Sequence, residues 1–148
     1  MSKYIYIILF SLALLSSCAN LGGGPQGGPR DTIPPLVEKE SPINGTLNFE
    51  AKRIEIHFDE YIQLDDIQKN VLISPPQQRP PEVKAIGKTL SVVFAESLLD
   101  STTYTIDFGS AICDYNGRPP LHGYVYSFST GDKIDSLAIS GRVYNAEN

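Results

Sequence analysis

Apolar and polar residues alternate with period two along most of this chain, in short runs separated by prolines, glycines and acidic turns. Ile54, Ile56 and Phe58 alternate with Arg53, Glu55, His57 and Asp59, so one side of an extended strand is apolar and the other wet. Tyr104, Ile106 and Phe108 repeat the pattern against Thr103, Thr105 and Asp107, as do Tyr124, Tyr126 and Phe128 against Val125, Ser127 and Ser129. Glu82–Ile86 and Leu90–Phe94 flank Gly87-Lys88 as the arms of a hairpin. Val71 with Ile73, and Leu36–Lys39, complete seven short strands. Proline pairs at 75–76, 80–81 and 119–120 fall between strands, where a missing N–H disturbs no ladder. No ten-residue run carries a helical stripe, and Glu60–Lys69 has room for a single turn.

Seven short antiparallel strands over residues 32–131 predict an all-β fold, an Ig-like β-sandwich whose inner faces are the alternating apolar positions. Tyr104 opens a late strand just after Leu98-Leu99-Asp100, the place of a tyrosine corner, in which the hydroxyl bonds back to upstream backbone. A plain core-facing tyrosine is the other reading; both make Tyr104 structural. Beyond Gly131, residues 132–148 read as a linker and one further strand, Leu137–Tyr144. This strand either opens a second, truncated β-domain or adds to the sandwich edge.

The first 31 residues follow a different rule. Lys3 supplies a positive charge, and Tyr4–Leu15 is apolar except for Ser11. Twelve residues fall short of the ~20 that a membrane-spanning helix needs, but suit a signal peptide of residues 1–17. Leu15-Ser16-Ser17-Cys18 resembles the lipobox of bacterial lipoproteins. The resemblance implies cleavage before Cys18, acylation of Cys18, and a membrane partner through that lipid anchor. Ala19, rather than an aspartate, follows the cysteine, which resembles the pattern of lipoproteins sent to the outer membrane. No acidic cluster follows that would direct the protein to the outer face, so the face is left open. Residues 18–31, with the run Leu21–Pro29, form a Gly/Pro-rich tether that reaches ~45 Å fully extended.

Charge and chemistry narrow the function. The formal charge of −5 becomes −6 once residues 1–17 and Lys3 are removed, which argues against nucleic acid as a partner. With Cys18 acylated, Cys113 is a lone thiol, expected to be buried and inert. Neither the glycine run nor Gly87-Lys88-Thr89 has P-loop spacing, since Glu82 stands where the first glycine is required. His57 and His122 are too far apart in the chain to form a zinc motif, and no nucleophile elbow surrounds any serine. Asp59, Glu60, Asp65, Asp66, Asp114 and Asn116 offer oxygens for calcium if two loops meet, yet the same residue types are ordinary turn formers. The reading therefore assigns no catalytic, metal or cofactor site, and Cys18 as the lipidation site.

The order of segments is also similar to a known family. Ile54–Ile62, Leu90–Phe94, Thr103–Ile106, Cys113-Asp114-Tyr115-Asn116-Gly117 and Tyr126–Thr130 resemble the SbsA-type bacterial Ig-like domain. Together with the lipobox, the Gly/Pro run and Asp31-Thr32-Ile33-Pro34-Pro35, they resemble the envelope lipoproteins of the Bacteroides group. That resemblance implies a non-enzymatic structural or display module of the cell envelope. Two alternatives stay open: an adhesin or glycan- or protein-binding module using exposed aromatics such as Tyr61 and Tyr115, and the N-terminal spacer of an enzyme whose catalytic domain lies beyond Asn148.

Overall fold

The computed structural model of the chain describes Gly28 and residues 31–116 and 118–135. Cys18, the signal peptide and the segment Leu137–Tyr144 lie outside the described residues. Among the described residues, nine strands and one helical turn follow in order: β1 Val37–Ser41, β2 Arg53–Phe58, β3 Ile62–Leu64, α1 Ile67–Asn70, β4 Leu72–Ser74, β5 Glu82–Ile86, β6 Thr89–Val93, β7 Thr103–Asp107, β8 Ile112–Asp114 and β9 Val125–Ser129. They form an antiparallel four-stranded sheet β1-β2-β6-β5, a three-stranded sheet β4-β7-β9 and a two-stranded ladder β3-β8. All seven expected strands are present. The two additional ones, β3 and β8, are three residues each, too short to show a period, and β8 is buried throughout.

The sandwich core is the set of alternating positions. Ile54, Ile56 and Phe58 of β2 and Leu90 and Val92 of β6 face Tyr104 and Ile106 of β7 and Tyr126 and Phe128 of β9. Phe128 is its aromatic hub, with its ring centroid 4.0 Å from that of Phe49 and 5.3 Å from that of Tyr104. The tyrosine corner is formed: the Tyr104 hydroxyl accepts the Leu99 N–H at 2.9 Å. Gly87 has φ +64° and opens a two-residue hairpin turn in which Lys88 keeps negative φ, the sign pattern of a II′ turn. At Gly109, φ +52° and the Asn70 carbonyl oxygen 2.7 Å from where a Cβ would stand leave no room for a side chain.

Two edges of this sandwich are finished differently. Along β9, residues 44–49 run beside the strand and bond to it. Gly45 N–H donates to Ser127 O at 2.8 Å, Ser129 N–H to Thr46 O at 2.9 Å, and Phe49 N–H to Ser129 O at 2.9 Å. The Asn44 side chain completes the pairing, accepting Ser127 N–H and donating to Val125 O. Along β5, β6 is the one strand paired among the described residues.

The ends of the domain lie at opposite poles. Asp31 sits beside Glu60, just past the end of β2. Asp135 bonds the Thr103 hydroxyl at 2.9 Å. Thr103 pairs with Ser129, Ser129 with Phe49, and Phe49 meets Phe94 edge to face; the Phe94 N–H donates to Lys52 O just before β2 begins.

Candidate functional site

The candidate site residues gather at the pole where β2 ends, in two adjoining features. The first is a cluster of three carboxylates, Asp31, Glu60 and Asp114, with oxygens within 4.8 Å of one another. Asp114 is fully buried at the end of β8 and also accepts the Asn116 N–H at 2.9 Å, which makes the tight turn after that strand. Asp31 bonds the Ile33 N–H, and Asp59 bonds the Leu36 N–H, so the chain before β1 is held to the loop after β2. Burial is the first cause that pushes the Glu60 carboxyl up to about 7; the charge and hydrogen bond of Asp114 follow, then Asp59 and Asp31. Glu60 therefore takes up a proton near neutral pH, and the oxygens of the cluster are of the kind that a hard cation takes.

Of the acidic residues anticipated from sequence, Glu60 and Asp114 therefore meet, and Asp31 joins them unanticipated. Asp65 and Asp66 do not: Asp65 N–H donates to Ala111 O, and Asp66 starts α1 with a left-handed backbone. Nothing in the sequence marks Asp31, because its place depends on how the chain enters β1.

The second feature is a cleft of about 500 Å³ between β3 and β5. Tyr61 and Tyr115, named from sequence as exposed aromatics, both line it and remain exposed. They meet because β3 pairs with β8, and Tyr115 N–H donates to Tyr61 O at 2.9 Å. The floor is Leu64, Val83 and Ala85, and Lys84 stands at the rim. Lys88 Nζ lies 5.9 Å from the Tyr61 ring centroid and donates to Asp59 O. Arg118 reaches Gln63 at 3.4 Å.

The other reactive residues are occupied structurally. Cys113 is buried and burial pushes its thiol up, with Asp65 adding and Arg118 opposing, the reverse of an activated thiolate. His57 bonds the hydroxyl of its cross-strand partner Thr89 at 2.9 Å. His122 is exposed in the segment before β9. Tyr124 donates to Glu40 at 2.6 Å, and burial raises its phenol well above the ordinary range.

With this geometry in view, the fold defines an Ig-like sandwich, and comparison with known families specifies it. The bacterial Ig-like domain profile matches residues 31–130. The chain belongs to that family. Among solved structures it is similar to an L,D-transpeptidase from Mycobacterium smegmatis, at 16% identity and TM-score 0.44 over 67% of this chain and 41% of that one. It is also similar to the N-terminal part of the bacterial S-layer protein SbsC, at 19% identity and TM-score 0.41 over 67% of this chain and 24% of that one. The chain thus spans less than half the length of either protein. No curated protein matches it.

Proposed function

We propose that this protein is a non-enzymatic Ig-like structural and display module of a cell-envelope lipoprotein, held to the outer membrane by lipid on Cys18. The observation that carries the reading is the separation of the domain's ends. Asp31, toward the anchor, and Asp135, toward whatever follows, lie at opposite poles of the sandwich. A module with that geometry adds its full length to the distance between membrane and cargo. The tether of residues 18–31 adds to this, and more than one acyl chain at Cys18 makes the anchoring stable.

The test is Cys18→Ala in the full chain. It abolishes metabolic acyl labelling and moves the protein from the membrane to the soluble fraction. A mutant that still fractionates with membranes as the wild type does would show that something other than Cys18 holds the protein there.

A further inference from the structure

The pole where β2 ends holds an uneven share of the exposed apolar surface. Ten large apolar side chains are exposed among the described residues, and five of them, Ile33, Leu36, Tyr61, Ile86 and Tyr115, stand on segments that meet there. Asp59 ties the loop after β2 to the chain before β1, accepting the Leu36 N–H on its side chain and donating its own N–H to Leu36 O. Ile33 N–H donates to Asp31, whose carboxylate adjoins Glu60. Tyr61 follows Glu60 directly, accepts the Tyr115 N–H on its carbonyl, and shares one cleft wall with Ile86. Of the other five, Leu47 and Leu99 stand at the Asp135 pole, beside Gly131 and Thr130, and the remaining three lie on or beside β4 and β9.

We propose that this pole is a membrane-contact surface, which seats the domain on the zwitterionic headgroup layer of the bilayer that holds its anchor; the proposal rests on the acylation of Cys18 read above. The path of the chain names the occupant. Twelve residues lie between Cys18 and Asp31, a flexible coil of about 20 Å, and they join the domain at this pole. An acylated Cys18 therefore keeps these five side chains close to lipid, and a contact too weak to form between free partners becomes populated. Two of the five are tyrosines, whose apolar ring and polar hydroxyl suit the boundary between acyl chains and water. Ile33, Leu36 and Ile86 add the apolar area that an interfacial contact removes from water. The carboxylates at this pole do not bar the approach. Asp114 is buried, and Glu60, pushed up to about 7 by burial first and then by Asp114, Asp59 and Asp31, sheds much of its charge at neutral pH. Exposed Asp31 and Asp59 are matched in number by exposed Lys88 and Arg118. A zwitterionic layer offers both signs to such a surface, whereas an anionic one is disfavoured by a chain of 17 acidic and 12 basic residues.

The test reconstitutes the full acylated chain in phosphatidylcholine vesicles that contain a headgroup spin-labelled lipid. A thiol-reactive dye is placed at one pole through Asn116→Cys or at the other through Leu99→Cys, both exposed positions. The chain floats with the vesicles, and the lipid quenches the dye at 116 several times more strongly than the dye at 99. Because the tether alone brings this pole near lipid, the deciding comparison is Ile33→Asn with Leu36→Asn, two exposed changes that keep the melting temperature. The double variant floats as before and loses about half or more of the quenching at 116, since the tether remains and the apolar contact does not. The proposal is overturned if a floating chain is quenched at neither position or equally at both. It is also overturned if the floating, folded double variant is quenched at 116 as strongly as wild type, which would show a domain that tumbles on its tether. A chain that does not float overturns the anchoring at Cys18 and this contact with it.

Discussion

The edges of β9 and β5 belong to sheets of one small sandwich and meet the same physical problem in opposite ways. An edge strand presents unpaired N–H and C=O groups and invites pairing with another chain. At β9 the protein supplies its own partner, residues 44–49, which bond to Ser127 and Ser129 and bring Phe49 against Phe128. At β5 the chain turns away through Gly87-Lys88, and, among the described residues, two short strands, β3 and β8, take the space beyond without sealing it. β1 is protected by its charges, Glu38, Lys39 and Glu40, and β4 by being three residues long. Among the described residues, the aromatic hub around Phe128 lies on the closed side, and the side left open is lined by the smaller Val83, Ala85 and Leu64.

The largest effect should come from breaking the closed side at its centre. Phe128→Ala removes a fully buried ring that touches Phe49, Phe94 and Tyr104, and should cost about 3–5 kcal/mol in denaturant unfolding. Phe58→Ala, on the facing sheet, should cost about the same. An unchanged midpoint for both would mean that the inner faces are wrongly assigned.

Removing the seal alone is a smaller change. Asn44→Ala loses the bonds to Ser127 N–H and Val125 O, and should cost about 1–2 kcal/mol. A variant as stable as wild type would show that the seal rests on the backbone bonds of Gly45, Thr46 and Phe49, which the substitution leaves in place.

The carboxylate cluster gives a pH-dependent contrast. Glu60 titrates at about 7 in the fold against 4.5 in the unfolded chain, so the native state binds that proton more tightly. This contribution is fully present below 4.5 and is lost as pH rises to about 7. Thermal melts should therefore show the wild type gaining stability on acidification through that window. Glu60→Gln should show a flatter profile there and a higher melting temperature than wild type at pH 8. Parallel profiles for the two proteins would remove Glu60 from the account.

The smallest effect belongs to the open side. Ile86 is 70% exposed on the outer face of β5, so Ile86→Thr should shift stability by less than about 0.5 kcal/mol. A larger loss would mean that something already covers β5.

How far the sequence spoke can be read from these same places. The strands with five or six residues announced themselves because one face is buried, and Tyr104 was legible as a corner because its position after Leu98-Leu99 is local. β8 was silent for a physical reason: Ile112, Cys113 and Asp114 are all buried, which leaves no alternation to detect. With β8 unseen, its pairing with β3 was unseen too, and so was the cleft. Tyr61 and Tyr115 could be named one by one, but not as neighbours. The carboxylate cluster was half legible for a similar reason. Glu60 and Asp114 lie in acidic turns, whereas Asp31 reaches them through a path set by tertiary folding.

The opposite placement of Asp31 and Asp135 has a mechanical consequence. A pull between them acts along the strands, across ladders whose hydrogen bonds lie perpendicular to it. The β1-β2 bonds then carry the load together in shear instead of parting one after another as in a zipper. A load applied between the two ends would be borne collectively by the sheet, and the domain would resist it as a strut.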